Sequence, residues 1–122
     1  MGTVEPIREL KNVRKIERLL ARQSERDLLL FTLGINCGLR ISDILTLDVS
    51  DVKNKNYIQV VEQKTGKFKK FPINSKLKPM FEKFTKNRLD EEPLFLSKFG
   101  NRMERTAAYR IINLACKIFL YK

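Results

Sequence analysis

The segment from about Glu25 to Asn36 constrains the fold most, because it is apolar nearly all round. Leu28, Leu29, Leu30, Phe31, Leu33 and Ile35 leave no wide polar face along about three turns of helix. A helix of this kind is stable in water only when other elements cover it, so the rest of the chain must be arranged around it. Its ends are marked. Ser24 offers an N-cap, with Asp27 three residues on in a capping-box-like start that uses Asp where Glu is usual. Gly38 supplies the left-handed residue that stops it. The apolar run 28–33 is broken by Thr32 and followed by Gly34, far short of the roughly 20 residues of a membrane span.

The flanking segments supply the cover. Val13, Ile16, Leu19 and Leu20 recur at helical spacing over residues 11–22, after an opening arm at residues 1–10. Residues 41–47 read as a short helix and 51–56 as a polar loop. Residues 57–63 and 67–73 are rich in β-formers, and Thr65-Gly66 supplies the turn of a hairpin. Ser75 is placed to cap a helix reaching about Arg88, with Leu77, Phe81 and Phe84 on its inner face. Pro79 falls near the first turn, where proline costs least. A loop at 89–102 holds Pro93, Gly100 and the apolar trio Leu94-Phe95-Leu96. The last helix starts near Glu104, with Ala108, Ile111, Ile112, Ala115, Ile118 and Phe119 along one stripe and Arg110, Asn113 and Lys117 opposite. At 122 residues and 43% hydrophobic, the chain suits one α+β domain, mainly helical, with a small antiparallel sheet around Lys64. The final helix runs into an apolar tail with no cap, which fits a chain cut before its natural end.

Charge narrows the partners. The net charge is +11. Residues 1–61 carry ten basic and eight acidic side chains, and residues 62–122 carry fifteen and six. Segment 64–88 holds nine basic residues against Glu82 alone. Such a concentration favours a polyanion, because neutralising phosphates releases condensed counterions. A solvated face that keeps the chain soluble is the competing explanation. An anionic membrane fits less well, since the cations fall on a hairpin and several helices and not on one amphipathic stripe. The absence of histidine removes every His-based triad, general base and imidazole metal site. No Gly-rich phosphate loop and no Cys or acid cluster at metal-ligand spacing is present, so no cofactor or metal is expected and a two-metal nuclease is disfavoured. Cys37 and Cys116 sit in apolar helical patterns and read as buried free thiols in a reducing, cytoplasmic setting. The acidic run Asp90-Glu91-Glu92 reads as solvated.

Phosphate chemistry needs cations held rigidly at the reacting group, and arginine grips non-bridging oxygens with a planar fork. Arg40 follows the buried helix at a sharp junction, with Asp43 one turn later and able to orient it. An ordinary surface Arg–Asp pair would have the same spacing. Lys64 lies on the hairpin turn, where a lysine can reach into a groove or protonate a leaving oxygen. By chemistry alone it is not separable from Lys67, Lys69 or Lys70. Phe31, Phe81, Phe84 and Phe119 fit core stripes. Phe68 and Phe71 lie in the basic hairpin, where sheet packing is favoured over base stacking.

Taken in order, these residues resemble the tyrosine recombinase (phage integrase) family over roughly residues 7–120. The run Gly38-Leu39-Arg40-Ile41-Ser42-Asp43-Ile44-Leu45, then Leu47, Asp48, Asp51 and Val52, is similar to the family's first active-site box. Gln63-Lys64-Thr65-Gly66-Lys67 and Phe71-Pro72-Ile73 resemble its β-hairpin, with the lysine 24 positions after the arginine. Leu94-Phe95-Leu96 and Ala108-Tyr109-Arg110 resemble the segment and helix that follow. The resemblance implies the N-terminal portion of a DNA breaking-rejoining catalytic domain that works without metal. It implies that Arg40 clamps the scissile phosphate, that Asp43 supports it, and that Lys64 protonates the 5′-oxygen, with Lys67, Lys69 and Lys70 as further DNA contacts. The partner implied is double-stranded DNA, with further recombinase protomers on it, and integration or excision of a mobile element as the outcome. The family's His-x-x-Arg box and nucleophilic tyrosine have no match here, since Tyr57, Tyr109 and Tyr121 all precede the place where that box belongs. The chain is therefore expected to be inactive alone and to self-associate through uncovered apolar surface. A non-catalytic DNA-binding half-domain acting as a regulator or accessory protein is the alternative.

Overall fold

Helix α2 (Glu25–Cys37) is the element that the others surround. It packs against α1 (Leu10–Gln23), α3 (Ile41–Ile44), α4 (Leu77–Thr85) and α5 (Arg105–Leu120). The computed structural model describes the backbone of residues 10–120 and the side chains of residues 13–114. Residues 1–9 of the expected arm, Tyr121, and the side chains of Ala115, Cys116, Ile118 and Phe119 lie outside the described residues, while Leu10 opens α1.

The α2 helix forms where its sequence marks it. The Ser24 Oγ accepts the Asp27 N–H at 3.3 Å. Gly38 closes the other end at φ 66°, ψ 17°, and its N–H donates to the Gly34 carbonyl. Leu29, Leu30 and Leu33 enter a main core with Leu39, Ile44, Leu45, Leu47, Val52, Ile58, Val60, Leu77, Phe81, Leu94, Phe95, Met103 and Ala108. Phe31 turns the other way and forms a second cluster with Val13, Ile16 and Leu20 of α1. The helix is not covered to its end. Ile35 is 45% exposed and Asn36 is exposed, so the apolar pattern overstates the burial of the last turn. Cys37, expected to be buried, is half-buried, and that partial burial pushes its thiol pKa up.

The sheet is a two-stranded antiparallel hairpin of β1 (Tyr57–Val61) and β2 (Phe68–Pro72), in the register Tyr57↔Pro72 to Val61↔Phe68. Ile58 and Val60 face the core, while Tyr57, Gln59 and Val61 face outward. Phe71 packs against the main core as expected, but Phe68 does not, being 61% exposed.

Helix α4 differs from the sequence expectation at both ends. Asn74, not Ser75, caps it, with its Oδ1 accepting the N–H groups of Lys76 and Leu77 at 3.1 and 2.9 Å. An Asn two or three residues ahead reaches the free N–H groups as well as an adjacent Ser would. The helix stops at Thr85, three residues before Arg88, where Asn87 adopts a left-handed φ of 63°. Arg88 then donates to the carbonyls of Pro93 and Leu94 and to Glu92, bracing the loop over the core. Glu92 is not a merely solvated acid. It accepts from Arg88 and from the Leu89 N–H, and these bonds hold its pKa below the ordinary glutamate value.

The contrast along α2 is testable. Leu30→Ala removes a fully buried side chain from the main core and is expected to cost about 2–5 kcal/mol in urea unfolding. Ile35→Ala, on the half-exposed last turn, is expected to cost under about 1 kcal/mol. Equal losses would show that α2 is enclosed along its whole length.

Candidate nucleic-acid interface

The junction between α2 and α3 is built to expose one side chain. After Gly38 reverses the chain, Leu39 is buried as an anchor, and the next residue, Arg40, is exposed in extended conformation (φ −67°, ψ 149°). The Arg40 carbonyl accepts the N–H groups of Asp43 and Ile44, both at 3.0 Å, starting the four-residue α3. The carbonyls that follow are held from behind. Arg102 donates to Leu45 O at 2.8 Å and Leu47 O at 3.2 Å and pairs with Asp48. An arginine fork can engage several carbonyls at once, so residues 45–48 form a fixed base for Arg40.

Asp43 links this junction to the hairpin. Its side chain is 1% exposed. Its Oδ1 accepts the Gln63 N–H at 3.0 Å, while Oδ2 is buried without a hydrogen-bond partner among the described residues. The carboxyl group is therefore not paired with Arg40, despite the i, i+3 spacing. It reaches to the residue immediately before Lys64.

The hairpin end has its own internal brace. Glu62 continues the inward register of Ile58 and Val60 and is 8% exposed. Its Oε1 accepts the Thr65 hydroxyl at 2.9 Å, and its Oε2 pairs with Lys69 Nζ at 3.2 Å. The Thr65 hydroxyl oxygen in turn accepts the Lys67 N–H. Gly66, at φ 71°, lets the chain turn, and its N–H donates to Glu62 O at 2.8 Å. Hydrogen bonds from Thr65 and Lys69 hold the Glu62 carboxylate below its ordinary pKa against the opposing effect of desolvation, and the Lys69 and Arg40 charges add to this.

Arg40, Asp43 and the Lys64 turn are brought to one end of the hairpin by these contacts. The other lysines do not form one row. Lys67 is exposed at the turn. Lys69 lies on the inner face with Glu62. Lys70 lies on the outer face, with Nζ 4.4 Å from the Tyr57 ring centroid. Two hollows of about 300 Å³ each lie elsewhere, one against Ser50, Asp51 and Tyr57, the other between α1, α2 and α4. Arg40 lines neither hollow and is itself exposed. Among the described residues no group of His, Cys, Asp and Glu could hold a metal ion. No described helix is long and apolar enough to cross a membrane.

Sequence reasoning missed Glu62 and Arg102. Glu62 was legible as an acid at the inward position of a strand, where a charge needs a partner. Arg102 carried no signal, because its acceptors are carbonyls distant in sequence.

The fold is that of part of lambda integrase. Lambda integrase (residues 75–356), solved bound to DNA, superposes with a TM-score of 0.73 and 20% identity over 90% of this chain and 41% of that one. The chain belongs to the phage integrase family, whose model matches residues 9–118. It is 40% identical over 116 residues to the Probable integrase/recombinase YoeC of Bacillus subtilis (strain 168), covering 94% of this chain and 64% of that protein. It is 35% identical over 82 residues to the tyrosine recombinase XerA of Pyrococcus horikoshii, covering 66% of this chain and 29% of that one. The chain thus spans less than two thirds of the length of these relatives.

Because the folded-state pKa of Glu62 is lowered, its stabilising contribution is complete above the unfolded value and is lost as pH falls through the folded value. The thermal midpoint of Glu62→Gln is expected to lie below that of the parent chain at pH 7, with the gap narrowing as pH falls below the ordinary glutamate range. A gap that persists unchanged at pH 3 would mean that the carboxylate charge is not what braces the turn.

Proposed function

We propose that this chain is the N-terminal part of a tyrosine-recombinase catalytic domain, and that its parent protein cuts and rejoins duplex DNA during integration or excision of a mobile element. The observation that carries the reading is the Asp43–Gln63 hydrogen bond, which ties the Arg40 junction to the Lys64 turn in a chain of this family. The DNA named in the lambda integrase structure and the recombinase names of the relatives support the same partner.

In this reading the Arg40 guanidinium grips the non-bridging oxygens of the scissile phosphate. It opposes the negative charge that builds as phosphorus becomes pentacoordinate, and such fixed electrostatic stabilisation is worth roughly 10²–10³ in rate per donor. A tyrosine hydroxyl of the parent protein gives its proton to a base outside these residues as its oxygen attacks phosphorus and forms the 3′-phosphotyrosyl bond, while the bond to the 5′-oxygen breaks. Lys64 Nζ gives its proton to that departing oxygen. Asp43 is a positioning residue, acting through Gln63 on the turn. Lys67, Lys69 and Lys70 contribute phosphate contacts.

The nucleophile is supplied from outside these residues. Tyr57 lies on β1 with Lys70 over its ring, and Tyr109 lies on α5, half-exposed. By itself the chain binds DNA through phosphates and does not cut it. Exposed Leu114 on α5 supplies apolar surface for self-association.

In the complete recombinase, Arg40→Ala is expected to abolish strand cleavage with an unchanged unfolding midpoint, since the side chain is exposed. Lys64→Ala is expected to slow cleavage by about 10²–10⁴ on ordinary DNA, yet to approach normal rates when the leaving group is a 5′-thiolate that needs no proton. Full cleavage by the Arg40→Ala protein, or no recovery of Lys64→Ala on the thiolate substrate, contradicts these roles.

A further inference from the structure

Val61 and Phe68 pair across the last rung of the hairpin, next to the Lys64 turn, and each is 61% exposed. The register places them on the outer face, in line with Gln59 and Lys70 and then Tyr57 and Pro72. Glu62 lies on the other face, within the field of Arg40. The hairpin end is therefore two-sided, ionic toward the protein body and apolar away from it. Nothing in the core needs this ring, since Phe71 already fills the β2 position against the main core.

We propose that Val61 and Phe68 form a non-polar contact for duplex DNA, packing on sugar and base edges of the groove beside the phosphate that Lys64 reaches. This rests on the reading of the hairpin as DNA-facing. A two-stranded ribbon is narrow enough to enter a groove of the duplex. A ribbon whose inner face is seated on the core leaves its turn and outer face free to meet a duplex, where apolar side chains pack on or between base steps. Charge complementarity selects the occupant. The pair is bordered by Lys64, Lys67 and Lys70, and a second copy of this chain would bring another +11 against them.

The chain contains no tryptophan, so Phe68→Trp installs a single reporter at this position. The full chain carrying it is titrated with a dye-labelled duplex, following dye anisotropy and tryptophan emission together. Emission is expected to be quenched in step with the anisotropy rise. In the otherwise unaltered chain, Phe68→Ala is expected to weaken binding about tenfold without changing the slope of log K against log salt, whereas Lys67→Ala reduces that slope by about one. The Phe68→Ala unfolding midpoint should match the parent, because the ring is exposed. An anisotropy rise with unchanged emission overturns the contact while leaving the DNA reading intact. No anisotropy rise at low salt overturns both. An emission change that follows protein concentration without DNA assigns the face to a second copy and overturns the proposal.

Discussion

A single hydrogen bond, from the Gln63 N–H to the carboxyl of the buried Asp43, ties together the two parts of the candidate site. Burying a carboxyl group is unfavourable unless it is well hydrogen-bonded, and among the described residues only one of its two oxygens has a partner. The cost is offset by what surrounds it. Helix α3 has four residues and could not hold its shape alone. Ile44, Leu45 and Leu47 anchor it in the core, and Arg102 secures the carbonyls behind it. The hairpin is seated by Ile58 and Val60. Asp43 joins these two supported pieces, one carrying Arg40 and the other Lys64.

Much of this was legible beforehand. The all-round apolar segment gave the central helix, and Ser24 and Gly38 marked its ends through caps that depend only on local backbone geometry. The β-rich segments and Thr65-Gly66 marked the hairpin. Failures came where an unforeseen local contact or tertiary geometry decided the outcome. Asn74 displaced Ser75 as the cap of α4 because its side chain already lay against two free N–H groups. Ile35 is exposed although Cys37 in the same turn packs against the main core, because the core covers only one side of that turn. Phe68 fits a strand by propensity, but a two-stranded ribbon covers only one of its faces. For the site, the positions of Arg40 and Lys64 could be read from the resemblance, whereas the route joining them could not. An Asp three residues after an Arg suggests a local pair, and only the folded chain shows that its acceptor function is directed twenty residues away.

Charge also divides differently from its count. Several arginines hold the scaffold and are not free to bind a polyanion. Arg26 donates to the Leu96 carbonyl, Arg88 to the Pro93 and Leu94 carbonyls, and Arg102 to those of Leu45 and Leu47. Lys76 and Lys83 pair with Glu17 and Glu25. The planar fork of arginine suits such multiple acceptors, whereas a lysine at a turn keeps its ammonium in water. The net charge of +11 therefore overstates the cations available to a partner. Those at the hairpin end sit on the turn that Asp43 ties to the Arg40 junction.

The link through Asp43 is tested most directly by amide hydrogen exchange at Gln63. Lys64 and Thr65 lie beside it in the turn, where exposure to water makes exchange fast. The account predicts that Gln63 exchanges at least about tenfold more slowly than these two, and that Asp43→Ala removes the difference. A Gln63 amide that exchanges as fast as its neighbours in the unsubstituted chain would show that the arginine junction and the lysine turn are not held together.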